Sequence, residues 1–260
     1  MGLAMPGEVF IQTLRSTLSS WLKSLLLLCG LLAGLLGWHA AGVPLPVQQV
    51  FARLSGASLP LSGWEAWLFA AGFNLLFGLV LCGCAILTGS RLMAGAEERG
   101  ALALILAFPI PRWQIVVEKA LGLAAGILLV CTALRLLAAA PGLFSPRYTL
   151  NADALSLAAF TLALPPILLG SLALALASAG GRLGFARWVS LAGWGVWGGL
   201  AILSRAVSGM GFLTPVTGIY TANPNGGRPS VWLLLLGTAA LLAVMWSAAA
   251  SGFEQRDLSD

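Results

Sequence analysis

The sequence predicts an all-α membrane protein with six transmembrane helices, and three observations carry that class. Of its 260 residues, 59% are hydrophobic and only 9% are charged. Its mean hydropathy is +0.93, whereas a soluble domain carries roughly a quarter charged residues. Apolar runs long enough to cross a bilayer recur six times. Inside lipid every backbone amide must be bonded within its own segment, so each run must be a helix. The basic residues, which give a net charge of +5, are scattered at the ends of these runs. They read as topology signals and not as a phosphate-binding face. The length suits a single polytopic domain covering 1–260.

Residues 6–23 read as a surface helix. Phe10, Leu14, Leu18, Trp21 and Leu25 recur every three to four positions as one stripe, and Gln12, Arg15, Ser16, Ser19 and Lys23 fill the other face. Pro6 suits a first turn. Two readings fit, a flanking segment of the first span or an interfacial elbow helix, and we favour the elbow. No basic segment precedes Glu8, and no short apolar core with a cleavage site precedes the first long run, so a signal peptide is not expected.

The first span is expected over 24–41, with Trp38 and His39 at headgroup depth. An external loop over 43–63 carries Pro44, Pro46 and Pro60 around a short helical piece at 47–54. Trp64 and Trp67 mark the return to the membrane as an aromatic belt does, and the second span covers 66–88 with Asn74 as its one strongly polar side chain.

Residues 90–112 are the densest charged island in the chain. They read Glu97-Glu98-Arg99-Gly100, then an apolar helical turn or two, then Pro109-Ile110-Pro111-Arg112. A polar-edged amphipathic piece between two spans lies on the membrane surface, where it can meet a soluble partner.

Trp113 marks re-entry into a third span reaching about Ala139. Glu118 and Lys119 fall in its first turns, where long side chains can snorkel to the headgroups. Arg135 lies roughly 30 Å along the axis, near the opposite headgroups. A second external loop covers 141–153, and the fourth span, 154–179, contains Pro165-Pro166. This pair is either a hinge or a static kink. A short turn over 180–188 carries Arg182 and Arg187. The fifth span, 189–207, is rich in Gly and Trp, and Gly195 and Gly199 form a Gly-x-x-x-Gly face for close helix packing or dimerisation. Residues 208–230 are external, and 212–220 are apolar enough to dip back into the outer leaflet. The sixth span covers 231–251, and the chain ends Phe253-Glu254-Gln255-Arg256-Asp257-Leu258.

The island resembles the cytoplasmic loop of type-2 ABC exporter permeases, which commonly read Glu-Glu-Arg-x-Gly-Thr-Leu-Glu-Leu-Leu-Leu-x-x-Pro-Val-Ser-Arg. The chain keeps Glu97, Glu98, Arg99, Gly100, Leu102, Leu104, Pro109 and Arg112. It departs at Ala101, Ala103 and Pro111, where Thr, Glu and Ser are usual, and Arg99 abuts Gly100 directly. The tail is similar to the Phe-x-x-Arg-Asp ending frequent in that family. The resemblance implies an elbow helix, a short re-entrant piece before the last span, and two copies of the permease, or one copy and a paralogue, docked to two cytoplasmic ABC ATPases. It further implies that Leu102, Ile105, Leu106 and Phe108 form the inserted helical contact. Glu97, Glu98, Arg99 and Arg112 would make charge pairs at its rim, while Gly100 and Pro109 bound it. ATP and magnesium would sit on the ATPase, and this chain would hold no cofactor.

With six spans both termini share one side. That side holds Arg15, Lys23, Arg91, Arg99, Arg112, Lys119, Arg182, Arg187 and Arg256, while the other holds Arg53, Arg147 and Arg228, with Arg135 and Arg205 near its headgroups. The excess of basic residues places the first set in the cytoplasm of, by the resemblance, a bacterial inner membrane.

Several chemistries are absent from the sequence. There is no P-loop and no Gly-x-Ser-x-Gly elbow. His39 is the one histidine, which cannot supply the later metal ligands that a Glu-Glu-x-x-x-Arg membrane protease needs. Cys29, Cys82, Cys84 and Cys131 fall inside apolar runs and read as small packing residues rather than a disulfide or zinc framework. Catalysis by this chain is not expected. No ionisable residue falls at a span's midpoint, which argues against an ion-coupled transporter and implies that any driving force comes from a separate subunit. A non-transporting membrane scaffold is the alternative. Lipid and an external protein are further candidate partners, and nucleic acid is not.

Overall fold

The computed structural model describes residues 8–42, 64–98, 111–180, 183–206 and 231–254, and every extended element among them is a helix. In chain order these are α1 (Glu8–Ala40), α2 (Trp64–Trp67), a π-helix (Leu68–Leu76), α3 (Phe77–Glu98), α4 (Arg112–Phe144), α5 (Ala152–Gly180), α6 (Leu183–Ala206) and α7 (Val231–Glu254), with a single 3-10 turn at Pro146–Tyr148. Among the described residues, five helical stretches are long and apolar enough to cross a membrane: Val9–Ala40, Ala71–Glu97, Arg112–Phe144, Ala152–Gly180 and Leu236–Glu254. The Gly- and Trp-rich α6, with 24 residues, is the sixth long helix.

α1 takes the expected elbow and the expected first span into one unbroken rod of 33 residues, about 50 Å at 1.5 Å per residue. No break falls at residues 23–24. The buried face also differs from the expected stripe. Val9, Thr13, Thr17, Trp21, Ser24, Leu28, Leu32 and Leu35 are buried, while Leu18 is 45% exposed and Ile11 and Leu22 face outward. The contact on the other side explains this. Thr13 and Trp21 lie against Gly122 and Gly126 of α4, where no side chain holds the backbones apart. Lipid tails are as apolar as leucine, so nothing drives the leucines inward; small and hydroxyl-bearing residues take the helix contact instead. The hydroxyls cost little there because the helix satisfies them. Thr17 Oγ1 donates to Thr13 O at 2.8 Å and Ser24 Oγ to Ser20 O at 2.9 Å.

α2, the π-helix and α3 follow one another without a gap. The π-helix closes with the Phe77 N–H donating to Gly72 O, an i→i+5 bond, and the Phe77 ring lies over Gly72. Such turns insert a residue into a helix and re-aim the turns beyond it.

α4 runs to Phe144, past the Pro141 expected to open a loop; the Ser145 N–H donates to Pro141 O and closes the last turn. α5 starts on an N-cap from Asn151, whose Oδ1 accepts the Asp153 and Ala154 amides at 3.0 and 3.3 Å. Its helical assignment continues without a break through Pro165 and Pro166, both buried. α5 is the central helix, with 78% of its apolar window buried against 17% for α7. Its tightest contact is with α3, where Gly89 meets the Gly170 carbonyl. α6 begins at Leu183, so the expected turn over 180–188 is shorter than its composition suggested.

Contacts at the two ends show that the long helices alternate in direction. Phe10 of α1 reaches Glu118 of α4 at one end. There too Ser178 of α5 reaches Ala249 of α7, and Arg187 of α6 reaches Ser90 of α3. At the far end His39 stacks edge-on against Trp64 and Tyr148 at 5.5 and 6.3 Å, and Trp38 against Trp67 at 6.0 Å. The starts of α1, α4 and α6 and the ends of α3, α5 and α7 therefore share one end of the bundle. The charged island connects α3 to α4 at that same end.

Candidate functional site

The described chain stops at Glu98 and resumes at Pro111, whose extended backbone (φ −63°, ψ 136°) turns it into α4. Arg99, Gly100, Leu102, Ile105, Leu106, Phe108 and Pro109 lie outside the described residues, as does the expected re-entrant piece in 208–230. What the structure shows is how the two roots of the island are fastened.

Among the described residues, three side chains of the first turns of α4 each reach the backbone of a different helix. Arg112 Nη1 donates to Phe253 O at 3.3 Å, and its guanidinium lies 5.7 Å from the Phe253 ring centre. Phe253 is fully buried next to the last residue of α7, and its carbonyl is one of the four that a helix end leaves without an intrahelical donor. The island's exit is thus pinned to the tail motif. Arg112, expected at the rim of a partner contact, is engaged within its own chain.

Glu118 and Lys119 depart furthest from expectation, because neither snorkels outward. Glu118 Oε2 accepts the Phe10 amide at 3.0 Å, filling one of the free N–H groups of α1's first turn. Its Oε1 accepts Gln114 Nε2 at 2.7 Å, one turn back along α4, which holds the carboxylate in place. Lys119 is 4% exposed. Its ammonium donates to Leu92 O at 2.7 Å, near the end of α3, and lies 3.5 Å from Met93 Sδ. Two of the signs agree with the helix dipoles: Glu118 lies at the first described turn of α1, and Arg112 at the last described turn of α7.

The arrangement follows from α4 itself. Successive residues on a helix point about 100° apart, so neighbours such as Glu118 and Lys119 can address two different helices. Lys119 falls in register with Ile115, Val116, Gly122 and Leu123, all buried. That register places Lys119 on the inner face of α4, a face the sequence does not mark, because Leu121, Leu128 and Leu129 on the outer side are equally apolar.

Ser90, expected at the start of the island, is a buried residue of α3. It bonds Leu87 O at 3.1 Å and accepts Arg187 Nε from α6 at 3.3 Å. Glu97 is half-buried at the end of α3. Gly195 and Gly199 lie on α6, where a Cβ added at either position would meet nothing within 4 Å. Cys29, Cys82, Cys84 and Cys131 are free thiols.

The chain matches the family described as ABC-2 family transporter protein over residues 10–258. No curated protein matches it.

Proposed function

The chain belongs to the ABC-2 family of transporter proteins, and on that premise we propose that it is the permease subunit of an ATP-driven exporter, with hydrolysis on separate cytoplasmic ABC ATPases. It is a multi-pass membrane protein of a family whose ATPase is typically a partner subunit. The observation that carries the reading is a family match over nearly the whole chain, joined to an island whose roots are tied into four helices. A force applied to a segment so held reaches the bundle instead of flexing a loop.

In this reading the island end is cytoplasmic, as the basic residues there favour, in a bacterial inner membrane. The first turns of α1, expected as an elbow, lie at the inner headgroups as the start of the first span, and 208–230 carry a re-entrant piece on the outside. Leu102, Ile105, Leu106 and Phe108 seat in a groove of the ATPase, Glu97, Glu98 and Arg99 pair with charges at its rim, and Gly100 and Pro109 delimit the contact. Arg112 serves one step inward, holding the exit of the island on Phe253. ATP and magnesium bind the ATPase. Two permease copies, or one and a paralogue, complete the pore, and the open Gly195/Gly199 face of α6 supports a helix contact between them.

The test is purification with the ATPase followed by hydrolysis and transport assays in liposomes. The intact complex should purify with both subunits. Substituting Glu98→Ala and Arg99→Ala should leave hydrolysis running while transport falls. If no ATPase accompanies the chain, a scaffold role replaces this reading; if coupling is unchanged, the rim residues lose their assignment.

A further inference from the structure

We propose that Glu118 and Lys119 are positioning residues that divide the island's movement between two helices, Glu118 delivering it to the start of α1 and Lys119 to the end of α3. The inference rests on the coupling reading above and adds the route inside this chain.

Three features of the pair carry it. Both side chains bond backbone atoms, Phe10 N and Leu92 O, so neither link is released when a partner side chain changes rotamer. The links are long-range, 108 and 27 residues apart in sequence, and both leave from the second turn of α4, just beyond the island's exit at Arg112. Phe10 N lies in the first described turn of α1 and Leu92 O in the last third of α3, so each link takes hold of a long helix near the island's end of the bundle. Lys119 is almost wholly buried, so its ammonium has little water to retreat into. Gln114 braces Glu118 from within α4. The two links leave different side chains for different helices, so each can be removed by its own substitution.

The experiment uses the full permease–ATPase complex in lipid nanodiscs, with its four cysteines replaced by alanine. An environment-sensitive fluorophore is attached at one of two exposed positions, Arg15→Cys on α1 or Arg91→Cys on α3. The signal read is the change in emission between the nucleotide-free and the ATP–vanadate-trapped states. With the hub intact, both labels should respond. Glu118→Leu should abolish the response at position 15 and preserve it at 91, and Lys119→Met should do the reverse. Glu118→Gln, whose amide oxygen can still accept the Phe10 N–H, should restore the response at 15. Should Glu118→Leu fail to yield folded complex, Phe10→Pro deletes the same link from the α1 side, because proline is tolerated in a helix's first turn, and the same selective loss is expected. Responses that persist in both variants, or that vanish together in either one, would overturn the divided route while leaving the coupling reading in place. An intact complex that hydrolyses ATP with no response at either label would overturn both.

Discussion

Gly89 and Gly170 lie where α3 meets α5, and Gly195 and Gly199 lie along α6; in sequence both are small-residue positions in apolar helices. In the fold they are opposites. A Cβ on Gly89 would run into the Gly170 carbonyl, and one on Gly170 would meet Leu123 Cδ2 at 2.9 Å and Ala85 O at 3.2 Å. At Gly195 and Gly199 a Cβ would meet nothing within 4 Å. The first pair is consumed by the chain's own packing, and the second has no described atom close enough to use it. In lipid, burial of greasy surface does not discriminate between such faces; close backbone approach does. The glycines already used for approach build the permease, and those unused are the ones left for something else to use.

That contrast can be broken from its strong side. Gly89→Val should have the largest effect, because the obstructing atom belongs to backbone and cannot rotate away. A loss of about 3 kcal/mol or more is expected, visible as aggregation on size exclusion and a much lowered unfolding temperature in detergent. Gly126→Ala comes next. Its Cβ would enter the space of the Trp21 indole, a buried ring that can shift only by moving α1, and about 1–3 kcal/mol should be lost, with a change in tryptophan emission. At Gly122 the obstacle is a Thr13 methyl at 2.9 Å, and the gain in helix propensity offsets part of the clash. Gly122→Ala should therefore stay within about 1 kcal/mol of the parent. The weakest effect sharpens the comparison most. Gly195→Ala and Gly199→Ala should leave the isolated permease as stable as before or up to about 1 kcal/mol more so, and any damage should appear only as loss of the paired form in cross-linking. A parent that pairs equally well with leucine at both positions would remove α6 from the contact.

Much of the architecture is legible without coordinates. The apolar runs anticipate the helices of the bundle, and the charged island with its Phe253 tail anticipates the family. The candidate site is legible in composition but not in connection. Arg112 is recognisable as an island residue, yet nothing in the sequence pairs it with Phe253, 141 positions away. Lys119 reads as a surface charge because lysines usually are; the structure puts it in register with the buried Ile115, Val116 and Leu123. The stripe on α1 is predicted from leucines and aromatics, as it would be for a soluble helix. The helix turns Thr13, Thr17 and Ser24 inward with Trp21 instead, where Gly122 and Gly126 of α4 leave room for close approach.

The sequence by itself determined that this chain is a stack of membrane-crossing helices with one charged connection, since hydrocarbon forces unbroken apolar helices wherever the backbone enters it. Its charges also marked which end of the bundle is distinctive. Only the tertiary structure decided which face of each helix turns inward, which glycines are spent, and that Arg112, Glu118 and Lys119 reach the backbones of three different helices. The physical reason is that helical period fixes a residue's direction about its own axis, whereas the identity of the group it meets depends on where the other helices come to lie.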